Sequence, residues 1–320
     1  MIGKQIRRQP QAELVALADI SDTSRAEAGD VLSVLLKARY ETLRSLLDGA
    51  TLDALAIATP HTLHYEQVCA ALEHDLHVLC KKPLAPDLDN ARDLDHRASD
   101  SDRILMVGYQ RHLEPEYRYA WRRWGDGGNE PMFIGAEITE DWLSPNLGTW
   151  RADPSLSGGG FLADTGDYVV DAILWMSDLT PTTVEADMYF ETEGIDTRGN
   201  LTIGFESGAT AHLSFHADVP RVTERLQGWD SEGGIRIEGR EWEDRSMTVI
   251  DEDGSEIDPY RSERDSAYEI PRTKLDGFVD AIEGTAPVPA TTRDALRATA
   301  VTDAAYESAR TGKPVSVDLS

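Results

Sequence analysis

Lysine is scarce in this sequence. Only six of the 31 basic residues are lysine, against 58 acidic residues, and the formal net charge is −27. Nucleic acids and anionic membranes are bound through concentrated positive charge, so neither is an expected partner. Aspartate and arginine outnumber glutamate and lysine, a composition typical of cytosolic proteins of salt-loving archaea, whose surface carboxylates stay hydrated. An ordinary acidic mesophile protein is the alternative.

Cysteine and long apolar runs are also lacking. The two cysteines, Cys69 and Cys80, are too few for a disulfide scaffold and lack metal-ligand spacing, so no metal site is predicted. No apolar run approaches the length of about 18 residues that a membrane helix requires. The N-terminal stretch MIGKQIRRQPQAEL has no apolar segment after its arginines and predicts no secretory signal. A cytoplasmic location is therefore expected.

Strand and helix patterns alternate over the first hundred residues. Four short apolar runs indicate buried parallel strands: AELVALADI (12–20), DALAIATP (53–60), LHVLCKKP (76–83) and RILMVGY (103–109). The segments between the later runs have helical spacing, and this alternation predicts a doubly wound α/β sheet. Ligands of such sheets bind at the carboxyl ends of the strands.

The pattern changes after about residue 125. Five segments that alternate apolar and polar residues predict a large, mostly antiparallel open sheet: PMFIGAEITE, TTVEADMYFET, GNLTIGFESG, ATAHLSFHAD and GGIRIEG. One helix, FLADTGDYVVDAILWM, is predicted ahead of this sheet, and further helices close the chain at 271–311. We therefore predict a nucleotide-binding domain at 1–112 and an α+β domain at 113–320.

Asp19 ends the first predicted strand of this chain. In a dinucleotide-binding fold, an acidic residue at the end of the second strand accepts hydrogen bonds from the adenosine ribose and repels a 2′-phosphate, which favours NAD over NADP. A loop aspartate that caps the helix starting near Ser24 is the alternative.

The strand and G-x-G-x-x-G loop that normally precede such an aspartate have no room here. Only Gly3 could be a last glycine of that loop, and IGKQIRRQP reads as the helix after it. Either the first strand and the loop were lost, or the start codon was assigned too late. The second explanation is favoured, because losing a central strand would expose an edge on each neighbour.

Three further stretches carry polar groups at strand ends or on a helix. ATPHTLH (58–64) offers free amide donors at a helix N-terminus. Lys81 and Lys82 follow a strand, where one could donate to a substrate hydroxyl; two solvent-exposed lysines are the alternative. In GGGFLADTGDYVVD (158–171), helical spacing would place Asp164, Tyr168 and Asp171 on one face, and the glycines would allow a ligand to approach; a helix whose polar face simply meets water is the alternative.

The order of these motifs resembles the glucose–fructose oxidoreductase/inositol dehydrogenase/MocA family. The resemblance is carried by ALADIS, ATPHTLH, LHVLCKKPLA, VGYQRHLEPEY and TWRADPSLSGGGFLADTGDYVVDAILW. It extends from residue 1 to the C-terminus and is strongest at 53–177. It implies a Rossmann-type domain followed by an α/β domain whose open sheet mediates homo-oligomerisation.

The resemblance also implies roles for individual residues. Lys82 matches the lysine of the family's E-K-P motif, beside the nicotinamide and the reacting hydroxyl, and Lys81 stands in place of the glutamate. Asp164 matches the aspartate of the D-x-G-x-H pattern, which binds and orients the substrate. Tyr168 replaces the histidine taken as general acid/base, and its phenol, with an ordinary pKa near ~10, would need a cation such as Lys82 to act as a base. Lys81 is expected to be an incidental surface charge.

These considerations give three sets of candidate site residues. The catalytic candidates are Lys82, Asp164 and Tyr168. The substrate-pocket candidates are Arg111, Trp150, Arg151 and Asp164. The cofactor-binding candidates are Gly3, Asp19, Ile20, Thr59, Pro60, His61, His64, Lys82 and Gln110.

The predicted function is an NAD(P)-dependent oxidoreductase, NAD preferred, that transfers a hydride to or from a secondary alcohol of a sugar, inositol or related polyol. Two alternatives stay open. One is a non-catalytic NAD- or sugar-binding regulator of the same fold. The other is a reductase of a conjugated or cyclic imine.

Overall fold

The computed structural model describes residues 2–125, 128–242, 244–257 and 273–319. The strands are β1 (Leu17–Ala18), β2 (Arg39–Tyr40), β3 (Ala54–Ile57), β4 (His77–Cys80), β5 (Leu105–Val107), β6 (Phe133–Asp141), β7 (Pro181–Thr192), β8 (Ile195–Phe205), β9 (Thr210–His216), β10 (Asp218–Asp230), β11 (Gly233–Arg240), β12 (Asp244–Asp251), β13 (Glu256–Ile257) and β14 (Val315–Ser316). The α-helices are α1 (Ile2–Ile6), α2 (Asp22–Val31), α3 (Leu43–Gly49), α4 (His64–Glu73), α5 (Leu88–Ser99), α6 (Pro115–Trp124), α7 (Leu143–Asn146), α8 (Pro154–Ser157), α9 (Asp167–Ser177), α10 (Lys274–Ile282) and α11 (Thr292–Thr311).

The first part of the chain contains five short parallel strands in two sheets. β1 pairs with β2, and β3, β4 and β5 form a second sheet in that order. Helices α2 to α5 alternate with these strands, so the predicted Rossmann-type arrangement is confirmed. Within the described ranges no strand joins β1 to β3.

The apolar run at 12–20 forms less strand than the sequence predicts. Only Leu17 and Ala18 pair, with the residues of β2, and Val15 is 44% exposed. A strand is stabilised by its neighbours more than by its own propensity, and β1 has a hydrogen-bonded partner on one side only. The polar dipeptide of β2 carries no apolar pattern and was not anticipated.

The second part forms one nine-stranded sheet, in the order β13-β12-β11-β10-β6-β9-β8-β7-β14. All pairs are antiparallel except β6 with β9, so the prediction of a large, mostly antiparallel open sheet is confirmed. Helix α9 packs on β6 and β9, and α11 packs on β7, so the helices cover one face of the sheet.

Two details of this sheet differ from the prediction. In the sequence, helix α9 does not precede the sheet but lies between β6 and β7. The first strand of the sheet in chain order is β6, which takes a central position. Strands β10, β12, β13 and β14 have no counterpart among the predicted strands. In β10 the buried positions include the carboxylates Glu224 and Asp230, and these interrupt the apolar alternation by which a strand is recognised.

The central strands of the first part are covered on both faces. Val78 and Cys80 of β4 belong to the main core, which continues into the second part of the chain. Leu79 and Met106 face the other side, where they pack against Leu275 and Phe278 of α10. A helix from the end of the chain thus completes the core of the first domain.

Helix α11 also contacts the first domain. Thr292 Oγ1 donates to Asp95 Oδ1 at 2.6 Å, and the Leu88 amide donates to Asp303 Oδ2 at 3.0 Å. The predicted closing helices are thus confirmed from Lys274 onward, whereas residues 271–272 lie outside the described part. Within the described residues no helix is both long and apolar enough to cross a membrane.

Phe278→Ala tests the contribution of α10 to the first domain. We expect a loss of about 3–5 kcal/mol in the free energy of unfolding, because the ring is buried against Leu79 and Met106. Urea unfolding at constant KCl measures it. The control Leu36→Ala, at a side chain 80% exposed, should change it by less than about 0.5 kcal/mol. Equal losses would show that α10 does not support the core.

Candidate active site

A cavity of about 360 Å³ lies at the carboxyl ends of β3, β4 and β5, where the sequence places the site. Its volume suits a small ligand. Its lining residues are Ala58, Thr59, His61, His64, Lys81, Lys82, Gln110, Glu140, Trp142, Asn146, Trp150, Arg151, Asp164, Thr165, Tyr168 and Trp242.

One wall of the cavity is a π-helical turn, Leu162–Gly166, that continues into α9. Its wider turn shifts the phase that an α-helix would give. Asp164 and Tyr168 still line the cavity. Asp171, predicted on the same face, is instead buried, and its Oδ2 lies 3.0 Å from His112 Nε2. The prediction of one shared face is therefore wrong for Asp171.

The glycines before this turn approach the protein's own chain and not a ligand. A Cβ on Gly160 would lie 2.3 Å from the Asp196 backbone, and a Cβ on Gly159 would lie 2.4 Å from the Tyr306 hydroxyl. The amides of Gly160 and Leu162 donate to the Asp196 carboxylate at 2.8 and 2.7 Å. This close packing fixes the start of the π-helical turn and therefore the position of Asp164.

Lys82 is the most unusual group in the cavity. Its side chain is 3% exposed, and its Nζ lies 3.5 Å from Asp164 Oδ1 and 4.2 Å from the centroid of the Tyr168 ring. In the described part of the chain this ammonium has no hydrogen-bond partner. Burying a charged group without hydrogen bonds is costly, so a ligand oxygen that accepts from Lys82 would be bound favourably.

Asp164 collects the positive groups of the site. Trp142 Nε1 donates to its Oδ2 at 2.7 Å, and Arg151 Nε lies 3.2 Å from the same oxygen. Burial raises the pKa of the Asp164 carboxyl, but the nearby Lys82 ammonium and the hydrogen bond from Trp142 outweigh it, and the pKa falls well below its usual range. Asp164 is therefore an anion that orients groups, and it does not take up protons near neutrality.

His61, predicted to bind the cofactor, contacts Asp164. Its Nδ1 lies 2.9 Å from the carbonyl oxygen of Ser157, and its Nε2 lies 3.6 Å from Asp164 Oδ1. Because a carbonyl only accepts, Nδ1 carries the proton and Nε2 is free in the neutral ring. Burial lowers the pKa of His61 despite the nearby carboxylate. A neutral imidazole with a free nitrogen therefore borders the cavity.

His64 has a structural position at the cavity edge. Its ring nitrogens lie 2.7 Å from the Pro83 carbonyl oxygen and 3.0 Å from that of Thr59. Burial lowers the pKa of His64 to about 4. The ring joins the turn after β3 to the turn after β4 and so holds Lys82 in place.

Lys82, the cation considered for Tyr168, does not hydrogen-bond to the Tyr168 hydroxyl. Lys82 lies over its ring and not at its hydroxyl, and the Arg111 guanidinium carbon is 4.8 Å from the ring centroid. Burial raises the pKa of the Tyr168 phenol even though Lys82 and Arg111 oppose the shift. The phenol is therefore a neutral hydrogen-bond donor near pH 7.

Lys81 lines the cavity, so the prediction of an incidental surface charge is wrong. Its Nζ lies 3.5 Å from the Tyr168 hydroxyl, and burial lowers the pKa of the Lys81 ammonium. Behind it is Lys274, whose Nζ donates to Gln110 Oε1 at 3.1 Å. Burial and the adjacent Lys81 lower the pKa of Lys274 to about 7. The turn after β4 thus brings both Lys81 and Lys82 to the site.

Of the substrate-pocket candidates, Trp150, Arg151 and Asp164 line the cavity and Arg111 does not. Arg111 is fully buried, and its Nε donates to Glu224 Oε1 at 2.8 Å. Tyr117 also donates to Glu224, and Arg245 lies 3.5 Å from it. Burial raises the pKa of Glu224, but Arg111 outweighs it and lowers the pKa to about 2. Arg111 belongs to an internal ion-pair network behind Tyr168.

Gly3, Asp19 and Ile20, the residues predicted to bind the adenosine half of the cofactor, do not line the cavity. Gly3 packs against Leu32, where a Cβ would lie 2.6 Å from its Cδ1. Asp19 Oδ1 accepts from the Ser21 amide at 2.8 Å, and Ile20 is 82% exposed. At the other end, Thr59 and Gln110 line the cavity, and Pro60 precedes the short 3₁₀ turn that begins at His61.

Sequence reasoning missed several lining residues, among them Glu140, Trp142, Asn146 and Trp242. Glu140 and Trp142 lie at the end of β6, and Glu140 Oε2 accepts from Thr165 at 3.0 Å. Lys274 could have been suspected from the rarity of lysine alone. In the described residues there is no group of three or more His, Cys, Asp or Glu side chains that could hold a metal ion.

Glu224→Gln tests the structural assignment of Arg111. Removing the carboxylate leaves Arg111 buried without its main counter-charge, so the free energy of unfolding should fall by about 3–5 kcal/mol. Urea denaturation at constant KCl measures the loss. The exposed control Glu185→Gln should change the free energy by less than about 0.5 kcal/mol. Full stability of Glu224→Gln would instead return Arg111 to the list of ligand-binding residues.

Comparison with known proteins agrees with this architecture. The family model described as the GFO_IDH_MocA oxidoreductase family with an NAD-binding Rossmann fold matches residues 2–109, and the model of the GFO/IDH/MocA C-terminal domain matches residues 129–236. The solved aldose-aldose oxidoreductase from Caulobacter crescentus superposes with a TM-score of 0.85 at 22% identity, over 99% of this chain and 95% of that one. This likeness shows the fold.

Curated relatives cover most of the chain. The D-xylose 1-dehydrogenase [NADP(+)] of Haloarcula marismortui is 27% identical over 82% of this chain and 78% of its own length. The scyllo-inositol 2-dehydrogenase (NAD(+)) of Bacillus subtilis is 25% identical over 97% of this chain and 90% of its own. Because the two family models together match more than half of the sequence, this chain belongs to the Gfo/Idh/MocA family of NAD(P)-dependent oxidoreductases.

Proposed function

We propose that this protein interconverts a secondary alcohol and the corresponding carbonyl of a sugar, inositol or related polyol. The observation that carries the proposal is Lys82, a buried ammonium without a hydrogen-bond partner in the described structure, at the cavity formed by the strand ends. Sugar and cyclitol substrates are favoured over an imine because the relatives named above act on xylose and inositol.

The residues at the carboxyl ends of the parallel strands are placed where a dinucleotide cofactor could bind. The turns after β3, β4 and β5 border the cavity, as ligand sites of parallel sheets do. Thr59, His61 and Gln110 would contact the nicotinamide half, and Asp19 at the end of β1 would accept from the adenosine ribose. Bound NAD(P)⁺ would supply the acceptor for the hydride that leaves the carbinol carbon.

The chain's own groups would handle the hydroxyl proton. Lys82 Nζ would donate a hydrogen bond to the substrate oxygen and stabilise negative charge that develops on it. The neutral His61 Nε2, beside the Asp164 anion, would accept the proton as the carbonyl forms, since Asp164 stabilises the resulting imidazolium. Tyr168 would act as a neutral donor, so His61 replaces it as the proposed base. In the reduction direction His61 returns the proton.

The alternative of a non-catalytic regulator is not favoured. A sensor has no need of a buried ammonium beside an ionised carboxylate and a neutral imidazole, and the curated relatives named above are dehydrogenases. We retain as proposals the domain division at 1–112 and 113–320, a cytoplasmic location, and homo-oligomerisation through the C-terminal sheet, whose Phe133, Tyr189 and Phe190 are exposed.

Lys82→Met tests the catalytic assignment. Turnover of sugars and polyols should fall by about 10²–10⁴-fold, because the methionine fills the same space but cannot donate to the substrate oxygen. Tryptophan fluorescence titration with NADH, in molar KCl, should show that the variant still folds and binds. Lys313→Met, at an exposed lysine, is the matched control and should turn over normally. Full turnover by Lys82→Met would refute the role of Lys82.

Asp19→Ser tests the proposed preference for NAD. Asp19 would repel a 2′-phosphate, so its removal should raise the ratio of NADP to NAD efficiency about tenfold, or ~1.4 kcal/mol. Steady-state kinetics with both cofactors measures the ratio, with the exposed Asp102→Ser as control. An unchanged ratio, or a wild type that prefers NADP, would show that Asp19 does not select the cofactor.

A further inference from the structure

One part of the cavity surface presents hydrogen-bond donors and no carboxylate. We call it the donor wall: Lys81 and Gln110 line the cavity, and Lys274 lies behind them. Lysine can only donate, so the Gln110 amide oxygen must face Lys274, and its NH₂ group is left with free donors. Within the described ranges no protein acceptor takes these donors.

The charges of the donor wall are not balanced. Carboxylates at the site, Asp164 above all, pair with Lys82, His61 and Arg151. Across the described residues no carboxylate lies within 4.0 Å of the Lys81 or Lys274 amine. The positive charge of Lys81 acts on Lys274 and, with burial, lowers the pKa of Lys274. Two ammonium groups in contact repel unless one loses its proton or an anion binds beside them.

This arrangement runs against the composition of the chain. Two of the six lysines line one cavity, and a third lies behind them, in a protein of net charge −27. The chain has many carboxylates that could pair with these lysines, as Glu224 pairs with the buried Arg111 next to the site. Among the described residues no carboxylate contacts these two amines, and such an arrangement suits a ligand that itself supplies the negative charge.

We propose that the donor wall binds the carboxylate of a sugar acid, so that the substrate is a uronate or a related hydroxy acid and not a neutral sugar. This inference rests on the proposed function. Lys82 lies over the Tyr168 ring and Lys81 lies at its hydroxyl. The reacting carbinol and the carboxylate would therefore be several bonds apart, as the anomeric carbon and the carboxylate are in a hexuronate.

The corresponding step balances as an ordinary two-electron oxidation. The anomeric C–H bond would break with its hydride accepted by bound NAD(P)⁺, the hydroxyl proton would pass to His61, and the C=O bond of the lactone would form. The carboxylate takes no part in the chemistry. It fixes which carbon faces Lys82.

A carboxylate fits the wall better than a phosphate dianion. Lys82 and Arg151 already face Asp164, which leaves Lys81 and Lys274 for the ligand. Burial lowers the pKa of both amines, and the adjacent Lys81 lowers that of Lys274 further, to about 7. The wall therefore carries between one and two charges near neutrality, which matches a monoanion.

The test compares acidic and neutral sugars of the same configuration. We would measure kcat/KM in molar KCl for D-glucuronate against D-glucose and for D-galacturonate against D-galactose, with glucose 6-phosphate as the phosphate probe. The wild type should prefer the acid by at least about tenfold. In Lys274→Met and in the near-isosteric Gln110→Glu this preference should fall about tenfold or more, whereas Lys313→Met should keep it.

The pH dependence gives a second readout. A lysine with a lowered pKa is cationic below that pKa and neutral above it, so the KM for the uronate should rise as the pH increases from about 7 to about 9, while the KM for the neutral sugar should not follow it. Calorimetric titration with D-glucuronate tests the wall without turnover, and binding that Lys274→Met weakens would support the inference.

The outcomes separate this inference from the proposed function. Turnover of neutral sugars without a preference for the acid would overturn the donor wall and leave the proposed function standing. Uronate binding without turnover of any sugar would keep the wall and refute the function. A preference for the phosphate probe, or a Lys274→Met variant that loses NADH affinity while its acid-to-neutral ratio is unchanged, would overturn the carboxylate assignment.

Discussion

The ion pair between Lys82 and Asp164 is the interaction on which the rest of the site depends. A buried ammonium is tolerated only beside a counter-charge, and Asp164 is held ionised by Lys82 and by the hydrogen bond from Trp142. Asp164 itself is placed by the π-helical turn, which packed glycines anchor to Asp196. Four separate segments of the chain therefore have to fold correctly before the site carries the right charges.

A second charged layer supports the first. Arg111 and Glu224 pair behind Tyr168, and the Arg111 guanidinium and the Lys82 ammonium both approach its ring. The phenol is thereby fixed in position while burial keeps it protonated. Under the proposed function the proton-accepting role would fall to His61, the neutral imidazole that the structure brings to the Asp164 carboxylate.

Much of this arrangement could be predicted from the sequence, and the failures share a physical cause. Parallel strands place their carboxyl ends together, so the turns that carry Thr59, Lys82 and Gln110 were expected at one edge. Arg111 was misjudged because its partner Glu224 is 113 residues away in an unrecognised strand. Lys274 was missed because it is 164 residues from Gln110. Local patterns fix elements, whereas the counter-charge of a buried group comes from anywhere in the chain.

The same reasoning explains how a strongly acidic protein can keep a cationic site. Exposed ion pairs, such as Arg103 with Asp75, contribute little to stability and are screened by salt. Buried charges are screened far less, so the potential inside the cavity persists at molar KCl while the repulsive field of the surface, set by a net charge of −27, is largely removed. An anionic ligand would therefore approach the protein more easily in concentrated salt, without losing the attraction that binds it inside. Under the proposed function, the surface charge would govern how a ligand approaches, and the few buried lysines would govern its recognition.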